Sequence, residues 1–260
     1  MHVSDLFGIE GKTAIVTGGS RGIGYMIAEG LVSNGVRTYI TSRKTAECDG
    51  AAAELSKLGE CISIPSDLST EEGMASFVDA VTAREDRLEI LVNNAGAAWG
   101  APLGKFPAAG FDKVMNINVR APFLLTQALL PRLEAAGTAE DPARVIMIGS
   151  IDGVQVPFGD NFSYSASKAA VHMMARHLAH NVVGDNVTVN TIAPGPFRSK
   201  MMGYLLDDPD SRARVAKFVP RKRIGTPEDV AGAVIYLSSR AGAWLTGVLI
   251  PVDGGLSTHG

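Results

Sequence analysis

The sequence predicts an α/β fold: one domain holding a doubly wound, seven-stranded parallel sheet with helices on both faces. Two observations predict it. Short apolar, β-branched runs alternate along the chain with longer segments of helical pattern, and strict β–α alternation calls for parallel strands joined by crossover helices. No linker, repeat or low-complexity stretch interrupts the alternation over 260 residues, a length at which one domain buries a large core without disulfides or metals.

The elements follow in order. Residues 12–16 (Lys-Thr-Ala-Ile-Val) read as the first strand and 21–33 as the first helix. The second strand is 36–41, and the second helix, rich in Ala, Glu and Leu, is 46–58. Strand 61–64 precedes helix 70–84, and strand 90–92 precedes one long helix over 111–134. Strand 144–148 leads to a second long helix at 164–183, strand 187–190 follows, and helix 228–238 and strand 248–250 close the pattern. The strands are continuous apolar runs, as strands covered on both faces should be. The segment 194–220, with its Gly, Pro and Asp residues and two Met, is too long for a simple connection. It is expected to carry a short helix or two and to act as a lid over about 196–220.

Composition narrows the function classes. Lys and Arg number 24 against 27 Asp and Glu, a net charge of −3, so nothing supplies the cationic surplus that a nucleic-acid backbone or an anionic membrane needs. Cys48 and Cys61 form no CxxC pair, which favours a reducing compartment, the cytoplasm. The polar start, Met1-His2-Val3-Ser4-Asp5, lacks the shape of a signal peptide, and no apolar run reaches membrane-spanning length. The histidines show no metal-ligand spacing, so no metal is expected.

The chemistry-bearing residues stand at the ends of the strands. After the first comes Gly18-Gly19-Ser20-Arg21-Gly22-Ile23-Gly24. Its glycines permit a tight turn and close approach to a pyrophosphate, and the next helix offers free N–H groups and the positive end of its dipole. The second strand ends on Ser42, followed by Arg43 and Lys44. An acidic residue there would hold a ribose hydroxyl, whereas Ser and Arg suit a 2′-phosphate through charge-assisted hydrogen bonds. Arg21 can reach the same phosphate, and NADP(H) is the cofactor these residues predict, although Arg43 and Lys44 also suit a solvated helix start. Tyr164 and Lys168, four apart on a helix, share one face. An ammonium there would stabilise a phenolate and lower a phenol pKa whose ordinary value is about 10. His172 lies one turn beyond Lys168, with His177 and His180 following. A second acid/base group and plain helix packing or a subunit contact are both open for it.

These motifs, with Asn93-Asn94-Ala95-Gly96, Asn118, Ser150, Pro194-Gly195 and Asp253-Gly254-Gly255 in the same order, resemble the short-chain dehydrogenase/reductase family from about Gly11 to Gly255. The resemblance implies a Rossmann fold and a role for each residue. Tyr164 would exchange the proton with the substrate oxygen and Ser150 would hold that oxygen. Lys168 would bind the nicotinamide ribose and depress the tyrosine pKa, and Asn118, rather than nearby Asn116, would hold a water linking Lys168 to solvent. Asp67 and Leu68 would flank the adenine, although Asp67 also suits a helix cap. Asn94, Ala95 and Gly96 would line the ribose, and Pro194, Gly195, Phe197 and Ser199 would face the nicotinamide.

The expected substrate-facing residues are Trp99, Ser150, Ile151, Gln155, Phe158, Phe162, Tyr164, Pro196, Met201, Met202, Tyr204 and Leu205, an apolar set that suits a hydrophobic ketone. The segments 16–24, 91–100, 142–146 and 192–195 further resemble the 3-oxoacyl thioester reductases of the family, including the rhamnolipid-pathway type, whereas Asp152, 155–158 and most of 196–221 depart from them. The resemblance implies a 3-oxoacyl thioester, an acyl carrier protein as a partner that Arg198, Lys200, Arg221, Lys222 and Arg223 could receive, and a homotetramer. Steroid, cyclic or polyol alcohol dehydrogenation is the alternative within the class. A catalytically silent NADP(H) sensor is the alternative outside it, and it has no need of Tyr164.

Overall fold

The computed structural model describes residues 2–157 and 159–258, and the backbone alone of Met201 and Tyr204. Phe158 and the side chains of Met201 and Tyr204 therefore lie outside the described residues. The strands are β1 (Thr13–Thr17), β2 (Arg37–Thr41), β3 (Cys61–Ser63), β4 (Ile90–Asn93), β5 (Ala143–Ile148), β6 (Val187–Pro194) and β7 (Leu249–Val252). They form one sheet in the order β3-β2-β1-β4-β5-β6-β7, and all pairs are parallel. The helices are α1 (Val3–Phe7), α2 (Gly22–Val32), α3 (Thr45–Leu55), α4 (Glu71–Thr82), α5 (Ala108–Met115), α6 (Ala121–Ala136), α7 (Phe162–Val182), α8 (Gly203–Leu206), α9 (Pro209–Phe218) and α10 (Pro227–Ser238).

The sheet divides the core. Ile27, Leu31, Val230 and Val234 of α2 and α10 cover one face. Phe77, Leu125, Leu129 and Val171 of α4, α6 and α7 cover the other. Both faces are therefore apolar, which explains why the strands read as unbroken hydrophobic runs. Strand order reverses between β1 and β4, and in such sheets the crevice outside the carboxyl ends at this point takes the ligand. At the opposite end, the buried Arg144 donates through Nε to Leu237 O at 2.9 Å and through a terminal nitrogen to Ser239 O at 2.9 Å and Asp141 Oδ1 at 2.8 Å. It ties the end of α10 to β5 by satisfying carbonyls that a helix C-terminus leaves open.

The single helix expected over 111–134 is two helices joined by a π-helical turn, Asn116–Arg120. Apolar periodicity alone does not register one extra residue in a turn, and π turns inside helices gather at functional sites. This one holds Asn118. The segment 194–220 carries the short helices α8 and α9. Among the described residues no helix is long and apolar enough to cross a membrane.

Candidate active site

The glycine turn is built as its composition requires. Gly18 and Gly22 adopt φ values of +67° and +57°, a region that favours glycine. A Cβ on Gly24 would stand 2.3 Å from Gly18 O and 2.4 Å from Asn94 Nδ2, so α2 can start this close to β4 only with glycine there. Thr17, at the end of β1, holds the other wall. Its hydroxyl accepts from the N–H groups of Asn94 and Ala95, each at 2.9 Å, and Asn94 Nδ2 donates back to Thr17 O at 2.8 Å. The sequence reading passed over Thr17, although its place directly before Gly18 was a usable signal.

The residues expected around an adenosine converge on the end of β2. Ser42 Oγ is buried without a hydrogen-bond partner among the described residues, an orphaned donor of the kind that a phosphate or ribose oxygen satisfies. Arg43 is exposed beside it. Arg21 and Lys44 both reach Glu47, at 3.0 and 2.6 Å, so cations from two elements already meet at one anionic point. The orphaned hydroxyl, the paired cations and a turn with no space for side chains together fit a phosphorylated dinucleotide.

Other members of the expected set serve local structure. Asp67 Oδ1 accepts from the N–H and the hydroxyl of Ser69, at 3.0 and 2.6 Å, and so forms a local turn; the helix cap it also suited is Thr70, whose Oγ1 accepts from Gly73 N–H at 3.1 Å. Ile23 packs partly buried against the core. The Phe197 ring is buried, and a Cβ on Gly225 would stand 2.3 Å from it. Any contact of Phe197 with a dinucleotide is therefore through its backbone. Ser199 Oγ accepts from Met202 N–H at 3.3 Å and so caps the turn Lys200–Met202. It also stands against Gly22, where a Cβ would lie 3.1 Å from Ser199 Cβ. Gly195 packs against Asp253, which explains the pairing of those motifs.

The proton-handling groups meet where α7 crosses the end of β5. The Tyr164 phenol lies beside the Ser150 hydroxyl, which acts to lower its pKa. Lys168 Nζ donates to Ile148 O at 2.7 Å and stands 5.5 Å from the centre of the Tyr164 ring. Asn118 is bonded on both sides. Its Oδ1 accepts from Ala97 N–H at 2.8 Å, and its Nδ2 donates to Ala97 O at 3.0 Å and Ser167 Oγ at 2.8 Å. Ser167, which the sequence reading did not single out, donates in turn to Tyr164 O at 2.7 Å. The π turn and α7 are thus clamped together across the strand that ends in Asn93-Asn94.

The electrostatics correct one expectation. Burial pushes the Tyr164 phenol up to about 12, with the Ser150 hydrogen bond pulling down and the Asp152 carboxylate adding to the rise. Burial also lowers the Lys168 ammonium to about 8. The fall in the tyrosine pKa expected from Lys168 is not what the chain's own groups produce, because desolvation disfavours both charged forms. At neutral pH Tyr164 is a protonated phenol, the form that donates to a carbonyl oxygen.

Phe162, of the expected substrate-facing set, belongs to an aromatic rim at the start of α7 with Phe106 and Phe111, which the sequence does not single out. The rings of Phe106, Phe111 and Phe162 meet edge to face at 5.9 and 6.4 Å. Trp99 lies against Gly110 with Lys113 Nζ 5.7 Å from its ring centre. Ile151 is buried, and Gln155 and Met202 are half-buried. Asn161 Nδ2 donates to Asp152 Oδ2 at 3.0 Å, and burial raises the Asp152 carboxyl.

Comparison with known proteins gives a consistent picture. The sequence family described as enoyl-(acyl carrier protein) reductase matches residues 18–257. The chain is 45% identical over 249 residues to the rhamnolipids biosynthesis 3-oxoacyl-[acyl-carrier-protein] reductase of Pseudomonas aeruginosa, covering 96% of this chain and 97% of that one. It is 35% identical over 246 residues to the 3-oxoacyl-[acyl-carrier-protein] reductase MabA of Mycobacterium tuberculosis, covering 94% and 92%. The structure superposes on the Pseudomonas aeruginosa RhlG/NADP active-site complex with a TM-score of 0.94 at 44% identity, covering 99% of this chain and 100% of that chain.

Proposed function

The chain belongs to the short-chain dehydrogenase/reductase family, and on that premise we propose that it is an NADPH-dependent reductase of 3-oxoacyl thioesters. One observation carries the reading: a protonated, half-buried Tyr164 beside Ser150, with Lys168 behind it, at the carboxyl end of β5 next to a glycine turn. Gly18, Ser20, Arg21, Gly22, Ser42, Arg43, Asn94 and Gly96 would hold the dinucleotide, which when bound supplies the hydride. Tyr164 gives its proton to the substrate oxygen. Ser150 donates a hydrogen bond to the same oxygen and holds it within reach, where a positioned donor acts on developing charge. Lys168 keeps a positive charge behind the phenol. In the reverse direction the same groups take the proton back.

The acyl assignment rests on the relatives' printed activities and on the aromatic rim of Phe106, Phe111 and Phe162, which suits a hydrocarbon chain better than a polyol. The exposed cations Arg198, Lys200, Arg221, Lys222 and Arg223 suit the acidic surface of an acyl carrier protein. The lid would be residues 196–220. We place the protein in the cytoplasm on its free Cys48 and Cys61 and take the homotetramer from the family resemblance, with Phe123 on α6, Met173 on α7 and Trp244 before β7 as exposed apolar side chains that self-association would cover. The test is oxidation of NADPH by a short 3-oxoacyl-CoA. Turnover supports the reading, and its absence alongside reduction of cyclic ketones or sugar acids replaces the acyl assignment.

The cofactor choice has its own test. Ser42→Asp puts a carboxylate where the orphaned hydroxyl stands. NADPH binding, followed by nicotinamide fluorescence, should weaken about tenfold or more through like-charge repulsion, while NADH binding holds or improves. Equal effects on the two cofactors would remove Ser42 from the phosphate site.

A further inference from the structure

We propose that His172 is a positioning residue that sets Ser150 for the reaction. The proposal rests on the hydride-transfer reading and not on the identity of the acyl group. Helix α7 presents Tyr164, Lys168 and His172 at successive turns along one face. Each grips the segment that ends β5. Tyr164 sets its phenol beside the Ser150 hydroxyl, Lys168 bonds Ile148 O, and His172 Nε2 accepts the N–H of Ser150 itself, at 3.4 Å. On its other side the ring stands against the backbone of Gly153. An Nε2 that accepts carries no proton, so the neutral ring holds its proton on Nδ1.

Shape reinforces the grip, since 3.4 Å is long for a hydrogen bond. A Cβ on Gly149 would lie 2.2 Å from His172 Nε2, and one on Gly153 would lie 2.8 Å from His172 Cε1. The imidazole thus fills the space of a side chain at Gly149, and at Gly153 it does so together with the α7 backbone, Ala169 N at 2.6 Å and Lys168 C at 2.7 Å. The ring is buried, and burial with the nearby Lys168 charge lowers its pKa to about 4. It stays neutral between pH 5 and 8, so it is an acceptor and a wedge rather than a second acid/base group. Ser150 Oγ is held from the other side by Asp152 N–H at 3.1 Å, and the hydroxyl's direction follows from how the backbone at 149–153 is seated on His172.

The test compares His172→Gln with His172→Asn. By reach, Gln keeps an acceptor for Ser150 N–H, and the shorter Asn does not. With a 3-oxoacyl-CoA, kcat of the Asn variant should fall roughly ten- to hundredfold, as small misplacements of reacting groups do, while the Gln variant recovers most of the rate. NADPH binding by fluorescence should stay unchanged in both. In a Ser150→Ala background the two variants should become equal, because the residue through which His172 acts is gone. Equal losses with Ser150 present, or the same difference without it, would overturn the proposal. If the wild type reduces no thioester, the acyl reading fails, and the same comparison is made on whichever cyclic ketone it reduces. Nitrogen-15 NMR of His172 gives a readout free of activity. A neutral Nδ1–H tautomer from pH 5 to 8 is expected, and an imidazolium in that range would contradict it.

Discussion

Replacing Tyr164 by Phe should lower turnover about a thousandfold, within the range that a positioned proton donor contributes, while leaving the fold and NADPH binding intact. The phenol stands beside Ser150 and is held protonated by desolvation and by the Asp152 charge. Its loss therefore removes the proton that must reach the carbonyl oxygen, and little else in the pocket shifts. Ser150 would still hold that oxygen, so residual turnover above the uncatalysed rate is expected. Stopped-flow absorbance of NADPH with a thioester substrate, beside fluorescence titration of NADPH, separates chemistry from binding. A variant that binds NADPH normally and keeps wild-type turnover would remove Tyr164 from the reaction, whereas the silent-sensor alternative predicts a wild type that binds NADPH and turns nothing over.

Replacing Lys168 by Met should abolish most activity and also change how stability depends on pH. Burial lowers the Lys168 ammonium from 10.5 to about 8. Between those values the unfolded chain binds the proton and the folded chain does not, so folding stability rises with pH across that window. At neutral pH the native state therefore carries a buried charge that costs up to about 3 kcal/mol relative to high pH. The bond to Ile148 O offsets part of this cost in the wild type. Urea denaturation at pH 7.5 and 9.5 should show wild-type stability rising with pH and the Met variant losing that rise. A parallel pH dependence in both proteins would mean that the lysine titrates as it does in water.

Much of this was legible in the sequence because it depends on local pattern. The alternation of apolar runs and helices locates the seven strands, and the glycine spacing marks where α2 must approach β1. Tyr164 and Lys168 share a face because an α-helix repeats every 3.6 residues. What was not legible depends on partners distant in the chain. The π turn at 116–120 has no hydrophobic signature, yet it aims Asn118 at Ala97 and Ser167. Thr17 and Ser167 are ordinary residues until the fold places them beside Asn94 and Asn118. His172 could be a core, interface or catalytic residue by sequence, and only the close approach of Gly149 and Gly153 decides among these. The sign of the Tyr164 shift was missed because desolvation is a property of the assembled site.

The most direct test of the central claim follows a deuterium label. NADPH carrying deuterium on the transferred position is mixed with a short 3-oxoacyl-CoA, and the product is examined by mass spectrometry. The account predicts a 3-hydroxyacyl thioester with the label on C3, formed about a thousandfold faster by the wild type than by Tyr164→Phe. No label from the 3-oxo substrate, with label entering a saturated thioester when a trans-2-enoyl-CoA is supplied, would contradict it and make the protein an enoyl reductase, as its family description reads.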